Sequence, residues 1–257
     1  MYDFSSLTVD LHIKLMGNSN PLSRPSDYLE SIGSCVEEAR AELVDEARRR
    51  LFINAAVVSS LAYSDQPNEK LLQLTGADHD IYMAQRCIFP VGQNQNYIVA
   101  TTIEEDVIFI GLRGTQGPHV GDWTRNLSLL PMAVDGGHIH TGFWHCAKEV
   151  STQLLQELVS KGKKIVITGH SKGAAAAIAL LLYMLCNPLL FNEQFILDQV
   201  ECVAFAPPLL GDRQLAEFVH SKRWGHLFHS IVNYVSYIIS ATVALKAIIV
   251  KSYAHSF

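Results

Sequence analysis

The spacing of apolar residues changes along this chain, and each spacing predicts a different kind of element. Between residues 36 and 62, apolar side chains recur every three or four positions, which predicts an amphipathic helix. Short apolar runs that are rich in β-branched residues and bounded by turn-forming residues predict strands. The predicted strands cover residues 81–89, 97–103, 107–112, 165–168, 200–206 and 228–232.

Helical patterns lie between the later strands. An amphipathic helix is predicted over residues 143–159, an alanine-rich helix after residue 171, and a short helix over residues 212–219. Because strands and helices alternate, we expect an α/β fold with a mainly parallel central sheet and helices on both faces. No repeat or linker divides the chain. We therefore expect a single domain over residues 36–257, preceded by an N-terminal arm over residues 1–35 that is rich in Ser, Asn and Pro.

The composition of the 257-residue chain argues against several classes of protein. A net charge of −5 argues against nucleic acid as the main partner. The five cysteines are scattered, so we expect neither a disulfide framework nor a zinc site, and a reducing compartment fits best. His138 and His140 share a face of a strand, but Asp135 is the one nearby acid that could be a third ligand, and we expect no bound metal.

Two uncharged stretches, residues 174–191 and 227–245, approach the length of a membrane span. A buried helix following the strand at residues 165–168 explains the first. The second contains Asn233, serines and histidines, and it begins as a predicted strand, so a strand and a span are alternatives there. Because the N-terminus carries no secretory signal, we predict a cytoplasmic protein, with membrane association as the alternative.

Residues 169–173 have the pattern G-x-S-x-G between a predicted strand and a predicted helix. In that context the serine, Ser171, sits on a tight turn with its hydroxyl exposed as a nucleophile. Glycine on either side avoids a collision at the turn. The Lys172 backbone N–H is then the expected donor for the oxyanion of acyl transfer. Thr115, just past the strand at residues 107–112, is the candidate for the second donor.

Six segments resemble, in the order of the family, motifs of the class 3 (fungal-type) lipases. They read LRGT at 112–115, DW at 122–123, HTGF at 140–143, GHSKG at 169–173, FAPP at 205–208 and VN at 232–233.

The resemblance implies an α/β-hydrolase fold and hydrolysis of carboxylic esters of lipids such as triacylglycerols and other glycerolipids. It also implies an oxyanion hole formed by Thr115 and Lys172, and a lid around residues 116–127. No metal or organic cofactor is implied. The implied partners are a lipid ester and the surface of a membrane or lipid droplet.

The acid and the base of the implied triad are not evident. In α/β-hydrolases the nucleophile is followed by Asp or Glu and then by His. Ser236 stands where the family acid belongs, and no Asp or Glu follows Glu217. Asp212 is a candidate substitute for the acid, although it also fits the cap of the helix that begins there. His255 is the candidate base, and the alternative is that the catalytic histidine is missing.

Two further interpretations follow from this gap. The chain is then either a catalytically silent lipase-like module that binds a lipid or a protein, or a C-terminally truncated form of an active enzyme. An imidazole that lacks its carboxylate loses about four orders of magnitude in rate in the best-studied triad. The sequence therefore predicts a lipase-like serine hydrolase that, without an acid at the family position, is a slow or inert enzyme.

Overall fold

The computed structural model describes residues 45–74, 79–87, 96–104, 106–114 and 131–231. Several sequence-based predictions concern residues outside these ranges: the arm at 1–35, the first part of the helix at 36–62, the lid at 116–127, and the side chains of Thr115, Ser236 and His255.

Within these ranges the chain forms eight strands and seven α-helices. The strands are β1 (Ile81–Cys87), β2 (Tyr97–Thr102), β3 (Val107–Leu112), β4 (Pro131–Val134), β5 (Gly137–His140), β6 (Lys164–His170), β7 (Val200–Phe205) and β8 (Phe228–Ile231). The helices are α1 (Glu46–Leu61), α2 (Pro67–Gln73), α3 (Thr141–Lys148), α4 (Thr152–Ser160), α5 (Lys172–Leu185), α6 (Glu193–Gln199) and α7 (Arg213–Ser221).

Six of the strands form one sheet in the order β1-β2-β3-β6-β7-β8. The pairs β3–β6, β6–β7 and β7–β8 are parallel, whereas β1 and β2 extend the sheet in antiparallel fashion. The sheet is thus mainly parallel, as the sequence predicts. The remaining strands, β4 and β5, form a separate antiparallel hairpin.

Helices cover both faces of the sheet because the apolar side chains of its central strands alternate between them. On one face, Val58 of α1 belongs to a core with Phe109 and Val166. On the other, the alanines of α5 pack with Ile165 and Ile167. All these side chains are almost fully buried. The predicted two-sided α/β packing is therefore confirmed.

The single helix predicted over residues 143–159 is wrong, because the chain forms two helices there. α3 ends at Lys148, and α4 begins at Thr152. The hydroxyl of Ser151 accepts a hydrogen bond from the Leu154 N–H at 3.3 Å, which caps the start of α4. The amphipathic period continues through the break, so periodicity alone did not reveal it.

The first uncharged stretch forms most of α5, a 14-residue helix whose side chains are largely buried against the sheet. Most of the second stretch lies outside the described residues. No helix in the described part of the chain has both the length and the apolar character that a membrane crossing needs.

Candidate active site

Ser171 occupies a strained turn between β6 and α5. Its backbone has φ 56° and ψ −122°. Residues other than glycine seldom adopt a positive φ. The strand ends at His170 and the helix begins at Lys172, so the change of direction is concentrated in this one residue. Backbone strain of this kind persists only where the surrounding structure imposes it, and it is common at functional sites.

The two glycines that flank the serine allow the backbone segments of the turn to approach closely. A Cβ atom on Gly169 would lie 2.4 Å from the carbonyl carbon of Gly173. A Cβ atom on Gly173 would lie 2.2 Å from the carbonyl oxygen of Leu112, at the end of β3. Neither position has room for a side chain, and the turn is thereby pressed against the end of the neighbouring strand.

Lys172 is the first residue of α5, where backbone N–H groups have no acceptor within the helix. Its backbone N–H is therefore free of helical hydrogen bonding and can donate to a negatively charged oxygen at the helix N-terminus. Its side chain interacts with Cys146 of α3. Burial raises the pKa of the Cys146 thiol, and the nearby Lys172 ammonium opposes that increase.

Tyr63 belongs to the site, although no sequence pattern indicated it. It follows α1, and its hydroxyl donates a hydrogen bond to the carbonyl oxygen of His170 at 3.2 Å. Burial raises the pKa of the phenol, against the smaller lowering effects of the Gly114 N–H and the Arg113 charge. Burial also lowers the pKa of His170, which favours its neutral imidazole.

Asp212 caps α7, and it also binds a histidine. Its Oδ1 accepts hydrogen bonds from the N–H groups of Leu215, at 2.9 Å, and His138, at 3.1 Å. Its Oδ2 lies 2.8 Å from Nδ1 of the His138 ring. Burial alone would raise the pKa of Asp212, but these contacts lower it below its ordinary value. Both carboxylate oxygens are thus engaged by α7 and by the hairpin.

His140 caps the start of the next helix, α3. Its Nδ1 accepts a hydrogen bond from the Gly142 N–H at 3.1 Å at the start of α3. The proton of the neutral ring is therefore on Nε2, and burial lowers the pKa of the ring. Among the described residues, no three His, Cys, Asp or Glu side chains are grouped closely enough to hold a metal ion.

The structure thus brings together the ends of β3, β6 and β7 around Ser171 and Lys172. Gly114, the residue before Thr115, lies close to the backbone of Gly173. The position of Thr115 itself, like that of His255, is outside the described residues. The pairing of Asp212 with His138 was not expected from the sequence, because hydrogen-bonding partners 74 residues apart leave no periodic signal.

Residues 109–236 match the family model described as Lipase (class 3). The lipase of Rhizomucor miehei is 30% identical over 136 residues, covering 49% of this chain and 35% of that protein. Protein EDS1L of Arabidopsis thaliana is 31% identical over 97 residues, covering 38% of this chain and 15% of that protein. The matched part of the chain thus spans little more than a third of the first relative and less of the second.

Solved structures show the same fold. The Rhizomucor miehei triacylglyceride lipase has a TM-score of 0.55 at 20% identity, covering 69% of this chain and 68% of that one. A triacylglycerol lipase whose catalytic centre is a serine protease triad has a TM-score of 0.57 at 19% identity, covering 74% and 72%. The predicted α/β-hydrolase fold is therefore confirmed.

Proposed function

Because this chain belongs to the class 3 lipase family, we propose that it is a serine hydrolase that cleaves carboxylic esters of lipids. The observation that carries the proposal is the strained turn at Ser171, held between β6 and the N-terminus of α5. A side chain at this turn projects from the sheet edge, where its hydroxyl can attack the carbonyl carbon of a substrate. Ser171 is partly exposed, as a nucleophile must be.

In the proposed reaction, the Ser171 hydroxyl oxygen attacks the ester carbonyl, and its proton passes to a base. The carbonyl oxygen becomes an oxyanion, which the Lys172 N–H and Thr115 stabilise. The base then gives this proton to the leaving oxygen, so the intermediate releases the alcohol and leaves an acyl group on Ser171. Water attacks the acyl-enzyme, releases the fatty acid and restores the serine. The helix dipole of α5 adds positive potential at the same point.

The base and acid are the incomplete part of this proposal. His255 is the sequence candidate for the base. For Asp212 we favour a structural role, because both of its oxygens already accept hydrogen bonds from α7 and the hairpin. Its contact with His138 is nevertheless the arrangement of carboxylate and imidazole that a triad uses. The Asp212 variant described in the Discussion separates these two roles.

Glycerolipids are the proposed substrate class. Support comes from the two lipases of similar fold, whose substrates are triacylglycerols. Acyl-chain and head-group preference depend on the shape of the acyl site. A series of p-nitrophenyl esters and mono-, di- and triacylglycerols, assayed with one preparation, would rank them.

A fluorophosphonate probe tests the proposal most directly, since it labels serines that are activated as nucleophiles. We expect labelling of wild type at Ser171, located by peptide mass spectrometry, and hydrolysis of a short-chain p-nitrophenyl ester. Heat-denatured protein gives the background. Absence of both labelling and turnover in folded protein would refute the hydrolase.

A catalytically silent lipase-like module is the second candidate. It is favoured by one observation, that Ser236 stands at the place of the family acid. Folded protein that binds vesicles or a protein partner without labelling at Ser171 would support it. Recovery of labelling in Ser236→Asp would instead show that a histidine lies within reach and that only the acid is lacking.

A further inference from the structure

The Tyr63 hydroxyl lies between two backbone segments that meet at the candidate site. One is the end of β6, where the hydroxyl donates to the His170 carbonyl oxygen at 3.2 Å and lies 3.4 Å from the His170 ring Nδ1. The other follows β3, where the Gly114 N–H donates to the hydroxyl. His170 directly precedes Ser171, and Gly114 directly precedes Thr115. One side chain is therefore hydrogen-bonded to the residue before each.

The hydrogen-bonding capacity of this hydroxyl is matched to its surroundings. A phenol has one proton to donate and can accept two hydrogen bonds. The His170 carbonyl oxygen accepts that proton, and the Gly114 N–H fills one acceptor position. Because one hydroxyl bonds to the backbone of both segments, it holds them next to each other.

Gly114, the Tyr63 hydroxyl and the His170 carbonyl are closely packed, which limits movement of the two segments relative to each other. A Cβ atom on Gly114 would lie 2.1 Å from the Tyr63 hydroxyl oxygen and 2.7 Å from the His170 carbonyl oxygen. The flanking residues are joined as well, because the Arg113 guanidinium lies 3.7 Å from the Asp65 carboxylate. Tyr63 and Asp65 therefore both bind the short segment that follows β3, through Gly114 and Arg113.

We propose that Tyr63 is a positioning residue for the oxyanion hole. It holds Gly114, the residue before Thr115, next to His170, the residue before Ser171 and Lys172. This inference rests on the proposed hydrolase function. Oxyanion donors act only within about 2.7–3.1 Å of the developing charge. A displacement of about 1 Å can cost about a hundredfold in rate even when its cause lies outside the reacting groups. Tyr63 precedes the matched residues 109–236, so the family match does not assign this role.

The test is Tyr63→Phe, which keeps the ring and removes the hydroxyl. We expect kcat for a short-chain p-nitrophenyl ester to fall by about ten- to a hundredfold, with KM within about twofold. The fluorophosphonate inactivation rate should fall in parallel, because it needs the same donors. Rates are normalised to the serines that label at completion, so any misfolded fraction is removed from the comparison.

Tyr82→Phe is the matched control, because Tyr82 lies on β1 with 66% of its side chain exposed and is not among the residues that form the candidate site. It should retain the wild-type kcat. If Tyr63→Phe also retains it, the positioning role is refuted while the hydrolase stands. A fall confined to KM would refute it too, because it would indicate a substrate-binding role. If wild type neither turns over ester nor labels, the proposed function fails, and the inference fails with it.

Discussion

The backbone N–H of Ser171 donates a hydrogen bond to the carbonyl oxygen of Phe205 across 2.9 Å. This bond continues the ladder between β6 and β7 by one residue beyond its last strand pair. The serine side chain makes no capping hydrogen bond to α5. The sheet and the helix therefore hold the turn in place, and the hydroxyl is not required for the fold.

Replacement of Ser171 by alanine should therefore abolish labelling and ester hydrolysis while the fold is retained. Glycine at this position should give a protein about 1 kcal/mol more stable than the alanine variant, because glycine adopts positive φ without strain. Urea unfolding followed by circular dichroism measures the difference. Ser160→Ala, an exposed serine at the end of α4, is the control and should keep full activity. Hydrolysis that persists in purified Ser171→Ala would exclude Ser171 as the nucleophile.

A side chain at Gly173 should damage folding. The Cβ atom of Gly173→Ala would lie 2.2 Å from the Leu112 carbonyl oxygen, which is backbone and cannot turn away. We expect a loss of about 3 kcal/mol or more, and Gly173→Leu should not fold. Gly225→Ala is the matched control, because apart from its own chain neighbours and helix backbone no atom lies within 4 Å of the added Cβ. A Gly173→Leu protein with the wild-type unfolding midpoint would contradict the close approach of the turn to β3.

Glu201 is a buried carboxylate at the opposite end of the parallel strands, and it is the centre of a cluster of charged side chains. Its carboxylate lies 2.9 Å from Arg48, 2.6 Å from Lys164 and 2.9 Å from His229. Burial alone would raise its pKa, but the hydrogen bonds from His229 and Lys164 and the charge of Arg48 lower the pKa from 4.5 to about 2. The cluster ties α1 to β6, β7 and β8.

The pKa of Glu201 is lower in the folded protein than in the unfolded chain, which fixes the sign of its pH dependence. Its contribution to stability, of the order of 3 kcal/mol, is present above pH 4.5 and is lost as the pH falls toward about 2. Glu201→Gln should therefore be clearly less stable than wild type at pH 7, and the difference should shrink at pH 3. Glu217→Gln, on the exposed face of α7, should change stability by less than about 0.5 kcal/mol at either pH. A pH-independent difference would contradict the lowered pKa.

Asp212→Asn should separate a structural cap from a catalytic acid. Asparagine still accepts a hydrogen bond at the start of a helix, so we expect a loss of less than about 1 kcal/mol. Labelling at Ser171 and kcat should stay within about twofold of wild type. Asp198→Asn, on the exposed side of α6, is the control. If Asp212→Asn and His138→Gln both remain folded but lose labelling, then the Asp212–His138 pair supplies the missing acid and base.

The sequence alone determined those features that depend on neighbouring residues. The β-branched run, the two glycines and the alanine-rich segment are contiguous, so strand β6, the turn at Ser171 and helix α5 could be predicted together. The pairing of β4 with β5 as a hairpin could not, because the two strands are only four residues long and are half exposed. The break at Ser151 was missed for a related reason, since it leaves the amphipathic period unchanged.

Only the tertiary structure decided which distant residues meet. Tyr63 and His170 are 107 positions apart, and Asp212 and His138 are 74 positions apart. Neither contact follows from periodicity, because each depends on how α1 and the hairpin are placed against the ends of the strands. Local backbone preferences act within a few residues, whereas such placements come from burying the two faces of the sheet. For that reason the candidate nucleophile could be proposed from the sequence, and the residues that surround it could not.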